Sequence, residues 1–137
     1  NATYKNFSAG FTMRTSFDNY MYNNVKAGSG VLTNVLTGQN YLNNAHHDVL
    51  VSGFKNRQTW SDWYLSNASF LKMDNAYLTY NFGRVIKDKA NLKINLNVQN
   101  VFVLTEYDGL DPEVSGGIDG TIYPRPRMYS LGLNLDF

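Results

Sequence analysis

The chain has 137 residues, of which 43% are hydrophobic, 15% aromatic and 17% charged, with a formal net charge of +1 at pH 7. That charge, with Lys and Arg scattered along the chain, gives no electrostatic footprint for nucleic acid, and the absence of Cys excludes a disulfide framework, a thiol nucleophile and Cys-ligated zinc. No stretch approaches the roughly 20 apolar residues of a membrane helix, and no charged-then-apolar export signal opens the sequence; a composition rich in Tyr, Phe and Asn favours strands joined by polar loops.

Period-2 alternation, the sign of a strand with unlike faces, appears first where Phe7, Ala9, Phe11, Met13 and Phe17 share one side and Ser8, Gly10, Thr12, Arg14 and Ser16 the other. A long Asn-, Gly- and Tyr-rich segment follows from Asp18 to about Ser69. Within it, Val31, Leu32, Val35 and Leu36, then Val49, Leu50 and Val51, predict short strands or a helical turn. A second alternating run sets Ala76, Leu78, Tyr80 and Phe82 against Tyr77, Thr79 and Asn81, and a short connection, Gly83 to Asn91, leads into the third. There Leu92, Ile94, Leu96 and Val98 oppose Lys93, Asn95, Asn97 and Gln99. After another long connection, Thr105 to Pro126, the sequence closes with Tyr129, Leu131, Leu133, Leu135 and Phe137 against Ser130, Gly132, Asn134 and Asp136.

Each run matches the roughly 9 to 11 residues with which a tilted strand crosses a bilayer. Long, short, long is the connection pattern of an outer-membrane barrel, with long loops outside and short turns inside, whereas a soluble sandwich places turn signals every 8 to 12 residues or so. The apolar rows carry no charge and are expected to face lipid. Arg14, Asn81, Lys93, Asn95, Asn97, Gln99, Asn134 and Asp136 are expected to face the lumen. If the last strand ends in the periplasm, Phe7, Phe82 and Phe137 gather at the inner interface, and Phe17, Tyr20, Phe102, Tyr107 and Tyr123 near or beyond the outer one, as aromatic girdles require. Four strands leave open edges that hydrocarbon does not tolerate, so residues 1–137 read as the C-terminal segment of an all-β transmembrane barrel, with most of that barrel elsewhere. Two alternatives stand beside this reading: a passive porin-like channel wall, and a soluble all-β ligand-binding module.

The loops hold the candidate chemistry. His46, His47 and Asp48 invite a metal, but adjacent residues on a strand point to opposite sides, so an exposed polar loop and no metal are expected. Asp108, Asp111, Glu113 and Asp119 are a candidate calcium set with loop carbonyls; the spacing lacks the EF-hand pattern, and Pro112 with the neighbouring glycines equally fits a turn system. Trp60, Trp63 and Tyr64 suit stacking on a ligand or anchoring an interface, with girdle or loop packing as the plainer alternative, and Tyr107 and Asp108 join them as loop candidates. In "YPRPR", Pro124 and Pro126 stiffen the approach to the last strand, leaving Arg125 and Arg127 either to line a vestibule or to reach lipid headgroups. Ser, His and Asp occur without a nucleophile elbow, so no enzyme is expected.

Three stretches carry a family resemblance. "SDWYLSNASFLKMDNAYLTYNF" (61–82) resembles the Trp-containing loop and following strand of SusC/RagA-type TonB-dependent transporters. "LKINLNVQNVFVLTEYDGLDPEV" (92–114) is similar to the family's "QN-F" strand and "DPEV" loop, and "GIDGTIYPRPRMYSLGLNLDF" (117–137) to its "YP--R-Y--GLN--F" ending. The matched stretches cover more than half the chain in order, while residues 20–59 carry no matching motif.

The resemblance implies a 22-stranded barrel with an N-terminal plug, energised through TonB by a part absent here, and covered outside by a SusD-like lipoprotein. It implies import of oligosaccharides or peptides across the outer membrane, with loops extracellular, the C-terminus periplasmic, and no nucleic-acid partner or cofactor. Trp60, Trp63, Tyr64, Tyr107, Asp108 and Arg125 are then candidates for contact with substrate or lid. The spacing of Ser130, Gly132, Leu135 and Phe137 resembles the signal that barrel-assembly machinery reads.

Overall fold

The structure is a computed structural model that describes residues 1–35, 42–87, 89–120 and 122–137. Its elements in chain order are β1 (Ala2–Tyr4), β2 (Phe7–Ser16), β3 (Tyr20–Asn23), α1 (Asn24–Ser29), α2 (Asp48–Ser52), β4 (Leu65–Asn67), β5 (Phe70–Val85), β6 (Ala90–Thr105), β7 (Ile118–Asp119) and β8 (Met128–Asp136). They form two compact units, one of Asn1–Ser16, Phe70–Leu104 and Arg125–Phe137, the other of Phe17–Ser69 and Thr105–Pro124.

The first unit is a five-stranded sheet in the order β1-β2-β5-β6-β8. All four alternating runs are strands in it. β5 and β6 are longer than their alternation suggests, at 16 residues each, on the order of 50 Å of extended chain. Their outer halves, such as "FLKMDN", mix polar and apolar residues and so show no clean period. The short β1 was not legible either, since three residues cannot display a period; it pairs antiparallel with β2 through Ala2↔Ala9 and Tyr4↔Phe7.

Register shows why the rows share faces. Phe7 lies opposite Tyr80, Ala9 opposite Leu78 and Phe11 opposite Ala76. Likewise Leu92 meets Leu135, Ile94 meets Leu133, Leu96 meets Leu131 and Val98 meets Tyr129. A one-residue slip would mix these rows with polar ones. Leu131 and Leu133 remain 71% and 69% exposed, so among the described residues no protein layer covers this face. Near the β5–β6 turn, Phe7 packs on Tyr80 and Tyr80 on Phe82, each with ring centroids 4.5 Å apart.

The opposite face is polar. Asn75 Nδ2 donates to Asn97 Oδ1 at 2.6 Å across β5 and β6, and Lys93 Nζ lies 3.6 Å from Asp136. Between Thr12 and Met13 the register against β5 shifts, leaving Asp74 without a strand partner; this bulge turns its carboxylate to Arg14, whose Nη2 donates to Oδ1 at 2.9 Å. Asn95 lies opposite Gly132, where an added Cβ would sit 2.0 Å from Asn95 Oδ1. The glycine is what allows that amide to lie over β8.

The second unit is built on a three-stranded sheet, β4-β3-β7. β3 is antiparallel to β4 through Tyr20↔Asn67 and Tyr22↔Leu65, and parallel to β7 through Tyr22↔Ile118 and Asn23↔Asp119. Alternation in "YMYN" drives Met21 inward, where it packs with Ala68, Tyr107 and Val114. Asn23 ends the strand and caps α1, its Oδ1 accepting the Lys26 amide at 2.8 Å. The expected turn structure appears as a 3-10 turn over Leu32–Asn34 and as α2, whereas Leu36 lies outside the described residues. No described helix is long and apolar enough to cross a membrane.

Candidate ligand-binding site

The second unit holds a half-open cavity of about 440 Å³, walled by polar Asn23, Lys26, His46, Tyr107, Asp108 and Asp119 and by apolar Val25, Leu110 and Ile122. Parallel pairing of β3 with β7 sets Asn23 beside Asp119. The Tyr107 hydroxyl donates to Asp119 Oδ2 at 2.6 Å. Both residues are buried, and burial, together with the Asp119 carboxylate, pushes the Tyr107 hydroxyl well above its ordinary pKa, keeping it a donor. Asp119 Oδ1 is buried with no hydrogen-bond partner among the described residues, an unsatisfied acceptor on a residue that lines the cavity. Gly109 is fixed by the same contact: a Cβ there would lie 2.2 Å from the Tyr107 ring and 2.6 Å from Asp119 Oδ2.

A charge network lies beside Asp108. Asp48 Oδ2 meets Lys26 Nζ at 2.8 Å and accepts from Trp63 Nε1 at 3.3 Å. Oδ1 lies 3.6 Å from His46 Nδ1 and 3.5 Å from His47 Nε2, and His46 Nε2 lies 3.7 Å from Asp108 Oδ2. Burial alone would raise the Asp48 pKa; the Lys26 ammonium and Trp63 indole outweigh it and hold the carboxyl below its ordinary value.

The sequence-predicted residues separate here. Trp60 is exposed, tilted over Tyr22 at 5.4 Å, with its backbone N–H donating to the Tyr22 hydroxyl at 3.2 Å. Trp63 is 44% exposed; its ring stands edge-on to Phe54 at 5.9 Å while its indole serves Asp48. Tyr64 is fully buried and packs against Tyr22 and Phe54. Tyr107 and Asp108 line the cavity, and exposed Arg125 belongs to the other unit. Lys93, Asn95, Asn97 and Gln99 lie on the polar face, opposite Asn134, Gly132, Ser130 and Met128 respectively. Asn81 bonds its own strand end, Oδ1 accepting from Gly83 at 2.9 Å. Leu135 is on β8, and Phe137 follows it, exposed.

The expectation that His46 and His47 diverge rested on a strand and does not hold. His47 has helical backbone at the start of α2 (φ −57, ψ −23), where successive side chains turn by about 100°, and the imidazoles approach to 4.3 Å between centroids. Of the acidic set, Asp111 Oδ1 accepts the Glu113 amide at 3.0 Å and Asp119 Oδ2 accepts the Tyr107 hydroxyl. Lys26 and Asn23 were missed, and so was the pairing of Lys26 with Asp48, because Lys26 and Asp48, like Asn23 and Asp119, stand more than twenty residues apart and leave no local pattern.

A sheet with one unbroken apolar face, one polar face and aromatic residues clustered at an end defines the wall of an outer-membrane β-barrel. No protein-family model matches the chain. It is 36% identical to the TonB-dependent receptor SusC of Bacteroides thetaiotaomicron over 98% of its own length and 14% of SusC. It is 32% identical to a TonB-dependent receptor of Formosa agariphila over 64% of its length and 9% of the receptor. Among solved structures, the RagAB peptide importer in its closed-closed state superposes with a TM-score of 0.79 at 23% identity, covering 98% of the chain and 16% of the neighbour. The open-open state gives 0.72 over 96% of the chain. The chain belongs to the SusC/RagA-type TonB-dependent outer-membrane transporters. It spans about one seventh of the length of SusC.

Proposed function

We propose that the chain serves as wall and loop structure in an energised importer that takes up oligosaccharides or peptides across the outer membrane. The observation that supports this most is the 36% identity to SusC running through 98% of the chain, the second unit included. In this reading the segments Phe17–Ser69 and Thr105–Pro124 are extracellular, the β5–β6 turn and the end of β8 are periplasmic, and the polar face carrying Lys93, Asn95, Asn97 and Gln99 lines the lumen. The rest of the barrel and a plug complete the transporter, TonB supplies energy through the plug, and a SusD-like lipoprotein covers the loops. The Ser130, Gly132, Leu135 and Phe137 spacing serves barrel-assembly machinery.

The cavity suits polar ligands that donate hydrogen bonds: Asn23, Asp108 and Asp119 put side-chain oxygens on residues of its lining, and Val25, Leu110 and Ile122 offer apolar contact. Sugar hydroxyls and peptide amides both meet that requirement. Exposed Trp60 is the stacking residue, while Tyr64 holds the loop from within.

The test is uptake by cells expressing the intact protein, with TonB present or depleted, together with mass spectrometry of the ligand and lipoprotein that co-purify. Loss of uptake on TonB depletion, with retained oligosaccharide or peptide, is the expected result. Undiminished uptake without TonB would replace this reading with a passive channel.

A further inference from the structure

His46, His47 and Asp48 are the one group among the described residues in which three metal-donor side chains converge, with their donor atoms within 4.8 Å of one another. The distances from Asp48 Oδ1, 3.6 Å to His46 Nδ1 and 3.5 Å to His47 Nε2, are close to the edge of a small tetrahedron: bonds of about 2.0 to 2.2 Å place donors roughly 3.3 to 3.6 Å apart.

The surroundings orient the donors. Asp48 Oδ2 is occupied by Lys26 at 2.8 Å and by Trp63 at 3.3 Å, which leaves Oδ1 turned to the imidazoles. His46 Nε2 lies 3.7 Å from Asp108, longer than a hydrogen bond; a small closure of that gap gives the carboxylate–histidine pairing that fixes a ligating imidazole and leaves its other nitrogen as the donor. That nitrogen now accepts a long contact from the Asp48 amide, at 3.3 Å, which a metal would displace. Lys26 offsets one of the two carboxylate charges, and Asp108 retains the other beside the site.

We propose that His46 Nδ1, His47 Nε2 and Asp48 Oδ1 bind one divalent transition-metal ion of the zinc type, with the fourth position open to water or an incoming ligand. Two imidazoles and one carboxylate select zinc, nickel or copper over calcium and magnesium, which prefer all-oxygen sites. Because the donors span the start of α2 and Asp108 faces His46 from the cavity wall, closing the His46–Asp108 gap on metal binding would tie α2 to the Thr105–Pro124 segment. The ion stabilises the second unit with the logarithm of one plus its free concentration over its dissociation constant.

The test uses the intact protein carrying a tag without histidine, stripped with chelator and titrated with zinc against a chromophoric competitor. One stoichiometric zinc is expected to be lost, with at least about a hundredfold weaker binding, in His47→Ala; that side chain is exposed, so the fold is retained. Asp108→Asn is expected to weaken binding about tenfold or more, the usual effect of removing a carboxylate behind a ligating histidine. A tenfold excess of calcium should displace nothing. Absence of a stoichiometric zinc, equal affinity in wild type and His47→Ala, or displacement by calcium would each overturn the proposal. The readout is independent of transport, so it stands or falls apart from the importer assignment.

Discussion

Tyr107 and Asp119, twelve residues apart, are joined by a buried 2.6 Å hydrogen bond from phenol to carboxylate. The bond fastens the start of the Thr105–Pro124 segment to β7 within it and, through the β3–β7 pairing, to the core around Met21. It also keeps one buried charge from losing all its partners.

Tyr107→Phe is therefore expected to destabilise the second unit by about 2 kcal/mol, because it strips a charged acceptor of its donor without changing the ring's packing. Hydrogen exchange across residues 105–120 of the intact protein measures this. Unchanged protection would show that the bond contributes little.

Gly109→Ala acts on the same pair by sterics. Gly109 itself is exposed, but its new methyl would enter the buried Tyr107 ring and Asp119 carboxylate, and overpacking against such groups costs about 1 to 3 kcal/mol. Faster proteolysis within 105–120 is expected, while Gly120→Ala, where a Cβ meets nothing within 4 Å, should leave the rate unchanged.

Asp48 gives the second unit a defined pH response. Its carboxyl is held below the ordinary value by Lys26 and Trp63 despite burial, so the folded state binds fewer protons than the unfolded one. The resulting stabilisation is fully present above the unfolded pKa of about 3.9 and is lost as pH falls through the folded value. Hydrogen exchange around α1 and α2 should accelerate below about pH 4. Lys26→Met should remove the favourable pairing, costing about 3 kcal/mol at neutral pH by stranding a buried carboxylate. Equal protection at pH 7 in wild type and Lys26→Met would count against the network.

The two faces of β8 predict opposite tolerances. Leu133→Arg places a charge in the apolar row and should cost about 2 to 4 kcal/mol, lowering assembled protein in the outer membrane. Asn134→Arg, one residue on and facing Lys93, should cost only about 0.2 to 1 kcal/mol from the like-charge pair. Equal surface levels for the two variants would remove the distinction between the faces.

The wall was legible in the sequence because membrane strands alternate with period 2 and a misplaced charge on the lipid side is costly; the pairing of Leu92 with Leu135 and Ile94 with Leu133 follows from that pattern once strand order is known. The bulge at Asp74 was not legible, since it is a feature of pairing with β2, where the bonded partner, Arg14, is sixty residues away. The second unit was largely hidden for the same reason: β3, β4 and β7 have two to four residues each. Its organisation depends on long-range pairs, Lys26 with Asp48 and Tyr107 with Asp119. Trp60, Trp63 and Tyr64 stood out by residue type, but only packing separates the exposed ring of Trp60 from the fully buried Tyr64.

The most direct test of the barrel-wall account is a spin-label scan of residues 129–136, one cysteine at a time, in the intact protein in bilayers. The chain has no Cys of its own. Labels at Tyr129, Leu131, Leu133 and Leu135 should be reached by oxygen dissolved in lipid. Those at Ser130, Gly132, Asn134 and Asp136 should be reached by a water-soluble nickel relaxant. Accessibility without this two-residue alternation, or alternation of the opposite phase, would contradict the assignment of the faces and with it the barrel wall.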